Sequence, residues 1–382
     1  MNDVSFAPAE LLQRARQRLS DAEGKVSFAF VDALEVFARA LDDEAHLSAA
    51  GRFSRYAALI ERLVIQGRLQ QQLERHPEIA DVPIRSPIII AALPRTGTTL
   101  LHNLLAQHSD LRGPALWELM YPVDPCGCNG NYAHLRDETA RQRAWVARQA
   151  PAAVAAHFQE ADRPDECSHL MERAFRSFLD MMGNRVPRFE RWLMRSNLAG
   201  AYAYHHLQLQ HIVWRIPAER LVLKDMLHLY FLPDVFREYP DAKVVLLHRS
   251  PFEQVPSAIS LALAYRRLSS TLIDPAEESQ RWLDRMADGV GRMMQVRPLL
   301  PAARILDVTY PRLLAQPMDV LAEIAQFADI PLTGHDEQRM SSYLANNPQH
   351  RHGVHQYSLD QFKLTPDAIE KAFGDYCRAF GV

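Results

Sequence analysis

The chain has 382 residues, a formal net charge of −3 at pH 7, 48% hydrophobic residues and 23% charged residues. This length suits one large α/β domain with additions or two domains, and the composition is typical of globular rather than disordered or fibrous proteins. The mild acidity disfavours a general nucleic-acid binder, although 43 Lys and Arg residues are enough for a local cationic cleft.

The four cysteines predict reduced thiols rather than a disulfide framework, because Cys126, Cys128, Cys167 and Cys377 are few and unevenly spaced. Cys126 and Cys128 resemble half of a metal site, but no matching Cys or His pair stands at ligand spacing, so we expect no metal. The N-terminus lacks the pattern of a signal peptide, and no apolar run approaches the roughly 20 residues of a membrane span. We therefore expect a cytoplasmic protein with no membrane span.

The first predicted unit is a helical segment over residues 1–84. Apolar residues recur at helical spacing in "AELLQRARQRLSDA" and in "SRYAALIERLVIQGRLQQQLERHP". The first strong strand, "SPIIIAAL", follows and begins a second unit over residues 85–382.

Four apolar runs in this second unit predict strands, namely "SPIIIAAL", "ERLVLKDM", "DAKVVLLHRSP" ending at Arg249, and "ARILDVTY". Such runs are typical of parallel strands covered on both faces, and helical patterns follow each of them, so the fold class is α/β. About 120 residues separate the first two strands, which is too many for one crossover and predicts a helical insertion at about residues 130–215.

The turn after the first strand, "PRTGTT", has the chemistry of an anion site. A strand that enters a helix through a Gly-containing turn points the first helical N–H groups at one spot, where the helix dipole favours an anion. Gly97 permits close backbone approach, Thr98 and Thr99 add hydroxyl donors, and Arg95 adds a forked cation. The spacing of nucleoside triphosphatases, G-x-x-x-x-G-K-[ST], is absent, which argues against ATP hydrolysis.

The third strand leads into a second helix start. Ser250, Pro251 and Glu253 match an N-cap, a first helical position and a capping box. Arg249 then lies at the end of the strand, where α/β sheets bind ligands, and Ser257 follows two turns later. The structural alternative pairs Arg249 with a surface carboxylate and makes Ser257 a small packing residue.

Five segments together resemble the sulfotransferases that use 3'-phosphoadenosine 5'-phosphosulfate (PAPS), and among them the bacterial branch related to protein-tyrosine and carbohydrate sulfotransferases. They are "LPRTGTTLLHNLLAQHSDLRGPALWE", "LVLKDMLHL", "PDAKVVLLHRSPFEQVPSAIS", "DVTYPRLLAQPMDVLAEIAQFADIP" and "RHGVHQYSLDQFKLTPDAIEKAFGDY". The resemblance covers roughly residues 85–382. It implies a P-loop-like parallel sheet flanked by helices, and direct transfer of a sulfuryl group to a hydroxyl of a small-molecule, lipid or carbohydrate acceptor.

The resemblance also implies which residues bind PAPS. The 5'-phosphosulfate would lie against Arg95, Thr96, Gly97, Thr98 and Thr99. The 3'-phosphate would be bound by Arg249 and Ser257, and closed over by the late basic loop of Arg351, His352 and Gly353. A donor with two separated anionic groups needs two anion sites, which agrees with this division.

The predicted catalytic cations are Arg95 and Lys224. Sulfuryl transfer, like phosphoryl transfer, needs charge stabilisation on the equatorial and leaving oxygens. Arg95 lies in the turn, and Lys224 matches the Lys that related enzymes place at the end of the second core strand. Ser257 would touch both the 3'-phosphate and the catalytic cation. The alternative for Lys224 is a surface lysine paired with Asp225.

The general base is predicted to be Glu118, because the tyrosyl and carbohydrate relatives have a Glu after the first helix, although about two extra residues intervene here. Glu166 and His228 are the alternatives. The small-molecule branch has a His two residues after the strand Lys, where this chain has Met226, and this difference favours a Glu.

The acceptor is less defined by the sequence. Trp117, Tyr121, Phe158, Trp192 and Trp214 lie in or beside the insertion and either line an apolar acceptor pocket or form the insertion's own core. We expect an apolar hydroxylated acceptor rather than a polysaccharide, and no metal, because Arg and Lys replace the cation that a kinase would use.

Two other functions compete with this interpretation. A P-loop-like small-molecule kinase would need a lysine in the turn and acidic Mg²⁺ ligands, for which Asp225 and Asp307 are the candidates. A catalytically inactive nucleotide-binding or interaction protein would need the loss of the cations Arg95 and Lys224, and both are present.

Overall fold

A parallel sheet forms the centre of the structure, a computed structural model that describes residues 4–21, 24–123, 131–151, 154, 158–347 and 358–382. In the described residues the sheet has five strands in the order β2-β3-β1-β4-β5. They are β1 (Ile88–Ala91), β2 (Leu111–Arg112), β3 (Arg220–Asp225), β4 (Lys243–His248) and β5 (Ile305–Thr309). The four predicted strands and the α/β class are confirmed. The edge strand β2 was not predicted, because two residues carry no periodic pattern.

The register brings the carboxyl ends of the three central strands to one edge. Ala91 of β1 pairs with Asp225 of β3 on one side and with Leu246 of β4 on the other. Because β1 lies between β3 and β4, its carboxyl end is the switch point at which open parallel sheets bind ligands. The segments that follow these three strands therefore meet in one crevice.

Helices cover both faces of the sheet. In chain order they are α1 (Pro8–Arg18), α2 (Val31–Glu44), α3 (Ala49–Arg75), α4 (Thr98–Leu105), α5 (Leu116–Met120), α6 (Ala133–Gln149), α7 (Ser168–Met171), α8 (Phe178–Gly183), α9 (Pro187–Leu193), α10 (Ala199–Arg215), α11 (Leu227–Tyr230), α12 (Leu232–Glu238), α13 (Pro251–Arg266), α14 (Pro275–Val296), α15 (Tyr310–Ala315), α16 (Pro317–Phe327), α17 (Gly334–Asn346) and α18 (Pro366–Phe380). Short 3₁₀ helices lie at Pro77–Asp81, Glu172–Ala174, Arg297–Leu299, Ala302–Arg304 and Asp360–Phe362. None of the described helices combines the length and apolar character needed to cross a bilayer.

Alternate residues of the buried strands face two different hydrophobic clusters. Ile89 of β1 and Leu223 of β3 belong to the larger cluster, whereas Ile88 and Val222 belong to the smaller one. This alternation follows from the two-residue period of a strand.

The N-terminal helices pack into the larger cluster. Leu11, Phe37 and Leu63, from α1, α2 and α3, are buried in the same cluster as Ile89 of the central strand. The helical prediction for this segment is confirmed, and the domain boundary near residue 84 stays a prediction.

The region between β2 and β3 contains several short helices. The stretch "SHLMERAFRSFLDMM" has a helical pattern, but the structure divides it into α7, a 3₁₀ turn and α8. Phe175 adopts a left-handed φ of 49°, and the Ser177 hydroxyl accepts a hydrogen bond from the Leu179 amide to begin α8. A local N-cap therefore restarts the helix where the apolar pattern alone predicts continuity.

Candidate active site

The turn between β1 and α4 has an unusual backbone. Gly97 adopts φ of 89° and Arg95 adopts φ of 68°, both in the left-handed region. A Cβ at position 97 would lie 2.4 Å from the ring of Tyr310, so glycine is required there for two separate reasons. The helix α4 begins directly after Gly97, at Thr98, and its N-terminus favours an anion in the crevice.

Thr96 anchors this turn to the rest of the sheet edge. Its hydroxyl donates to the Leu93 carbonyl and accepts a hydrogen bond from the Gln254 side chain on α13, and the residue is fully buried. Arg95, Gly97, Thr98 and Thr99 are instead partly exposed. Thr96 therefore fixes the turn on its buried side, while the other four residues face the crevice.

Two predicted residues of the third-strand helix start meet Arg95 of the turn. The Arg95 Nε donates to the Ser257 Oγ at 3.0 Å, and the Arg249 Nη1 donates to the Arg95 carbonyl at 2.8 Å. These contacts join residues that lie far apart in the sequence. The two predicted anion-binding regions are thus neighbours in space.

The rest of the Arg249 guanidinium is held by Glu253 and Tyr310. Arg249 Nε and Nη2 donate to Glu253 Oε2 at 2.9 and 2.6 Å, and the guanidinium stacks 4.4 Å from the centre of the Tyr310 ring. The predicted capping box is wrong, because the Ser250 side chain makes no cap hydrogen bond. The Glu253 carboxylate instead forms charge-assisted bonds with Arg249, which are stronger than a cap to a neutral amide.

Lys224 lies at the same edge and is buried. Its Nζ donates to Glu166 Oε1 at 2.9 Å and to Thr99 Oγ1 at 3.3 Å. Burial disfavours the charged amine, but the Glu166 and Asp165 carboxylates outweigh burial and raise the pKa of Lys224. The surface pair with Asp225 does not form, because adjacent strand residues point to opposite faces, and Asp225 instead accepts from the Leu227 amide.

Glu166 belongs to a chain of polar contacts that reaches the helix α6. Arg143 Nη1 donates to Gln159 Oε1 at 2.9 Å, and Gln159 Nε2 donates to Asp165 Oδ2 at 2.9 Å. Asp165 Oδ1 in turn accepts from the Glu166 amide at 2.7 Å. Burial, with a contribution from Glu166, raises the pKa of Asp225 to about 7.

The other two candidate bases have different surroundings. Both Glu118 oxygens accept hydrogen bonds from Arg112 Nη1 at 2.7 Å, and Oε2 also accepts from the Ala115 amide at 2.8 Å. His228 shares a hydrogen bond of 2.9 Å with the Tyr202 hydroxyl, and burial lowers the pKa of His228 to about 3. Within the described residues, neither side chain makes a hydrogen bond to the turn.

The aromatic residues of the insertion do not all face one space. Trp117 is buried and stacks on Tyr132, and Trp214 packs 4.8 Å from the ring of His76. Trp192 packs against Phe189, whereas Phe158 is 36% exposed. These contacts favour packing roles for the three tryptophans.

Sequence reasoning did not find Tyr265 of α13. Burial raises its pKa to about 12, and the charges of Arg143, Asp165, Glu166 and Arg95 all act on its hydroxyl. Tyr265 therefore lies among the residues that surround the crevice. Tyr265 lies on the same helix as Ser257, and this is the one, weak indication in the sequence that it is near the site.

The predicted late loop of Arg351, His352 and Gly353 lies outside the described residues, as do Cys126 and Cys128.

Comparisons with known proteins agree on one family. The family model described as "Sulfotransferase family" matches residues 87–334. Omega-hydroxy-beta-dihydromenaquinone-9 sulfotransferase Stf3 of Mycobacterium bovis is 22% identical over 301 residues, which is 77% of this chain and 75% of that protein.

Two crystal structures are similar over nearly the whole chain. Sulfotransferase STF1 from Mycobacterium tuberculosis has a TM-score of 0.83 at 27% identity, covering 98% of this chain and 100% of that one. Sulfotransferase STF9 from Mycobacterium avium has a TM-score of 0.85 at 24% identity, covering 100% and 98%. The matched family region includes the turn, Lys224, Arg249 and Ser257.

Proposed function

This chain belongs to the sulfotransferase family, and we propose that it transfers the sulfuryl group of PAPS to the hydroxyl of an apolar small-molecule or lipid acceptor. The observation that carries the proposal is the meeting of three cations at the carboxyl ends of β1, β3 and β4. Arg95 of the turn donates to Ser257, Lys224 donates to Thr99, and Arg249 donates to the Arg95 carbonyl. Such a cluster suits a donor with several anionic groups.

We propose that the two phosphate regions divide the donor between them. The 5'-phosphosulfate lies at the N-terminus of α4, against Arg95 and the residues from Thr96 to Thr99. The 3'-phosphate lies against Arg249 and Ser257, with Arg351, His352 and Gly353 as further proposed contacts. Glu253 accepts hydrogen bonds from two nitrogens of Arg249, so a bound phosphate would replace a carboxylate there.

The cations would stabilise the leaving group. As the acceptor oxygen approaches the sulfur in line, the bond from sulfur to the bridging phosphate oxygen breaks and negative charge builds on that oxygen. Lys224 stays charged because neighbouring carboxylates raise its pKa, and its Nζ lies 3.3 Å from Thr99 of the turn. Lys224 and Arg95 are therefore the proposed catalytic cations, with Ser257 orienting Arg95.

We propose Glu166 as the general base. It is the candidate carboxylate bonded to Lys224, so it lies next to the reacting groups and would take the proton of the acceptor hydroxyl. Glu118 was predicted from its place after the first helix. Its three accepted hydrogen bonds from Arg112 and Ala115 favour a role in holding α5 to β2.

An apolar alcohol is the proposed class of acceptor. The relative Stf3 is named for a hydroxylated menaquinone, which is a lipid. In this chain Phe158 is partly exposed in the segment that leads to Gln159, whose side chain is bonded to Asp165 beside Glu166. A partly exposed apolar side chain in this segment suits a lipid-like alcohol better than a sugar.

Calorimetric titration with adenosine 3',5'-bisphosphate, against AMP and ATP with Mg²⁺, tests the donor. We expect binding that depends on the 3'-phosphate. A preference for ATP with Mg²⁺ would contradict the proposal and favour the kinase. If the donor binds, radiolabelled PAPS with a long-chain alcohol and with a monosaccharide tests the acceptor, and sulfation of the sugar alone would contradict an apolar acceptor.

A further inference from the structure

A cluster of metal-ligating side chains, which includes the alternative base His228, lies next to the residues of the proposed active site. One ligand atom from each of Cys167, His205 and His228 lies within 4.8 Å of the ligand atoms of the other two. All three residues are at most 1% exposed. They come from the start of α7, from α10 and from the start of α11, so tertiary structure alone brings them together.

Each histidine of the cluster has one ring nitrogen occupied and one without a partner. The Nδ1 of His205 shares a hydrogen bond of 2.7 Å with the Tyr239 hydroxyl, and the Nδ1 of His228 shares one of 2.9 Å with the Tyr202 hydroxyl. The Nε2 atoms of both rings are buried with no hydrogen-bond partner in the described part of the chain. A buried polar atom without a partner is unfavourable and calls for an explanation.

The Cys167 thiol does not satisfy these nitrogens in the structure, since neither Nε2 makes a hydrogen bond to its sulfur. A tyrosine hydroxyl that accepts from Nδ1–H leaves the lone pair on Nε2. A hydrogen bond of this kind to the other ring nitrogen orients histidine ligands toward a metal.

We propose that Cys167, His205 and His228 bind one Zn²⁺ ion that stabilises the fold. Thiolate and neutral imidazole are ligands that zinc favours, and three protein ligands leave the fourth tetrahedral position to a water molecule or another small ligand. Burial lowers the pKa of His228 to about 3 and that of His205 well below its usual range, which keeps both imidazoles neutral, whereas burial raises the pKa of the Cys167 thiol well above its usual range. The Cys167 thiol would lose its proton to solvent as the Zn–S bond forms.

The position of the cluster indicates what the ion would stabilise. The Cys167 amide donates to the Lys224 carbonyl at 2.9 Å, and Cys167 directly follows Glu166 in the chain. The ion would therefore tie the segment that carries Glu166 to the end of β3 and to α10. This role is independent of the proposed acceptor and donor.

Metal content of the whole chain tests the proposal. The protein is expressed in medium with Zn²⁺ or with Co²⁺, then dialysed against a weak chelator. We expect one Zn²⁺ per chain, and for the Co²⁺ form a thiolate-to-cobalt charge-transfer band. We also expect a lower Tm when the metal is withheld during expression. Wild-type protein that is folded with no bound metal and no such band would overturn the proposal.

Variants separate this cluster from the other cysteines. Cys167→Ser should abolish the charge-transfer band, whereas Cys377→Ser and the double variant Cys126→Ser with Cys128→Ser should retain it. Loss of the band in the double variant with retention in Cys167→Ser would place the metal elsewhere and overturn the proposal. If Cys167→Ser does not fold, X-ray absorption of the wild-type Zn²⁺ form decides. One sulfur and two imidazole ligands are expected, and zero or several sulfurs contradict the site.

Discussion

At the scale of single residues, Gly97 shows how a backbone conformation supports the proposed donor site. Its φ of 89° is unfavourable for any other residue, and a Cβ at this position would lie 2.4 Å from the Tyr310 ring. Gly97→Ala should lower the free energy of unfolding by about 1–3 kcal/mol and weaken binding of adenosine 3',5'-bisphosphate, because the turn must shift. Thermal denaturation and calorimetry measure both.

Gly291→Ala is the matched control for this change. Gly291 lies inside α14 with nothing within 4 Å of a built Cβ, so alanine there should be neutral or slightly stabilising. Equal Tm and equal nucleotide affinity for Gly97→Ala and wild type would contradict the role given to the turn.

Substitutions of Arg249 and Glu253 should change the nucleotide affinity of the proposed donor site in opposite directions. Arg249→Ala should weaken binding of adenosine 3',5'-bisphosphate by about 1.5–3 kcal/mol, the loss of a charged hydrogen bond. Glu253→Gln should strengthen it, since the carboxylate that occupies Arg249 Nε and Nη2 is removed. Arg292→Ala is the control: it breaks a similar pair with Asp288 on α14 and should leave the affinity for adenosine 3',5'-bisphosphate unchanged. Unchanged affinity in Arg249→Ala would remove Arg249 from the site.

Substitution of Glu166 or Glu118 by glutamine distinguishes the two candidate bases by the effect on kcat. Glu166→Gln should lower kcat by about 10²–10⁴ because a base is removed, and it should also lower Tm because the buried Lys224 loses its carboxylate partner. Glu118→Gln should lower Tm with kcat largely kept, since its carboxylate bonds Arg112 and the Ala115 amide. Steady-state kinetics and denaturation of both variants measure this. A large loss of kcat in Glu118→Gln alone would restore Glu118 as the base.

At the scale of elements, buried ion pairs hold the helices together beside the sheet. Glu190 of α9 accepts hydrogen bonds from Arg281 and Arg285 of α14. Burial opposes the charge of Glu190, but the two arginines outweigh burial and lower the pKa of its carboxyl to about 2. This pair of contacts joins two helices that are distant in the sequence.

The stability contributed by Glu190 should depend on pH. Its pKa is lower in the folded than in the unfolded protein, so its contribution is present above about pH 4.5 and is lost as the pH falls toward 2. Glu190→Gln should cost on the order of 3 kcal/mol at pH 7, as for a broken buried pair, and less at pH 3. Denaturant unfolding at both pH values measures this. Glu370→Gln, at an exposed pair with Arg378, is the control and should leave stability unchanged. A loss of unfolding free energy in Glu190→Gln that is equal at pH 7 and pH 3 would contradict this account.

At the scale of the whole molecule, the N-terminal helices and the sheet share one hydrophobic cluster. Leu11, Phe37 and Leu63 are buried with Ile89 of β1, and Arg62 of α3 bonds Glu172 and Asp180 beyond β2. Removing α1 to α3 would expose apolar surface and leave those two carboxylates without their cation.

A chain that begins at residue 85 is therefore expected not to fold by itself. Calorimetry of the full chain should show one cooperative transition, and the shortened chain should show none. A shortened chain that unfolds cooperatively and binds adenosine 3',5'-bisphosphate as the full chain does would make residues 1–84 a separate unit.

Much of the fold and part of the candidate site could be predicted because their signals are local. The apolar runs of β1, β3, β4 and β5 lie within a few neighbouring residues, and so does the Gly97 turn at the start of α4. Parallel strands then place the residues after them at one edge, which is why the grouping of Arg95, Lys224 and Arg249 could be anticipated.

From the sequence alone one can therefore predict the α/β class, the turn of the proposed anion site and the cations at the sheet edge. The partner of each charged or polar side chain, in contrast, follows from the packing of segments that are distant in the sequence. Lys224 bonds Glu166 rather than Asp225, Glu118 bonds Arg112, and two histidines from separate helices meet Cys167. The physical reason is that helix and strand formation depend on neighbouring residues, whereas the pairing of buried polar groups depends on segments that meet only when the chain is packed.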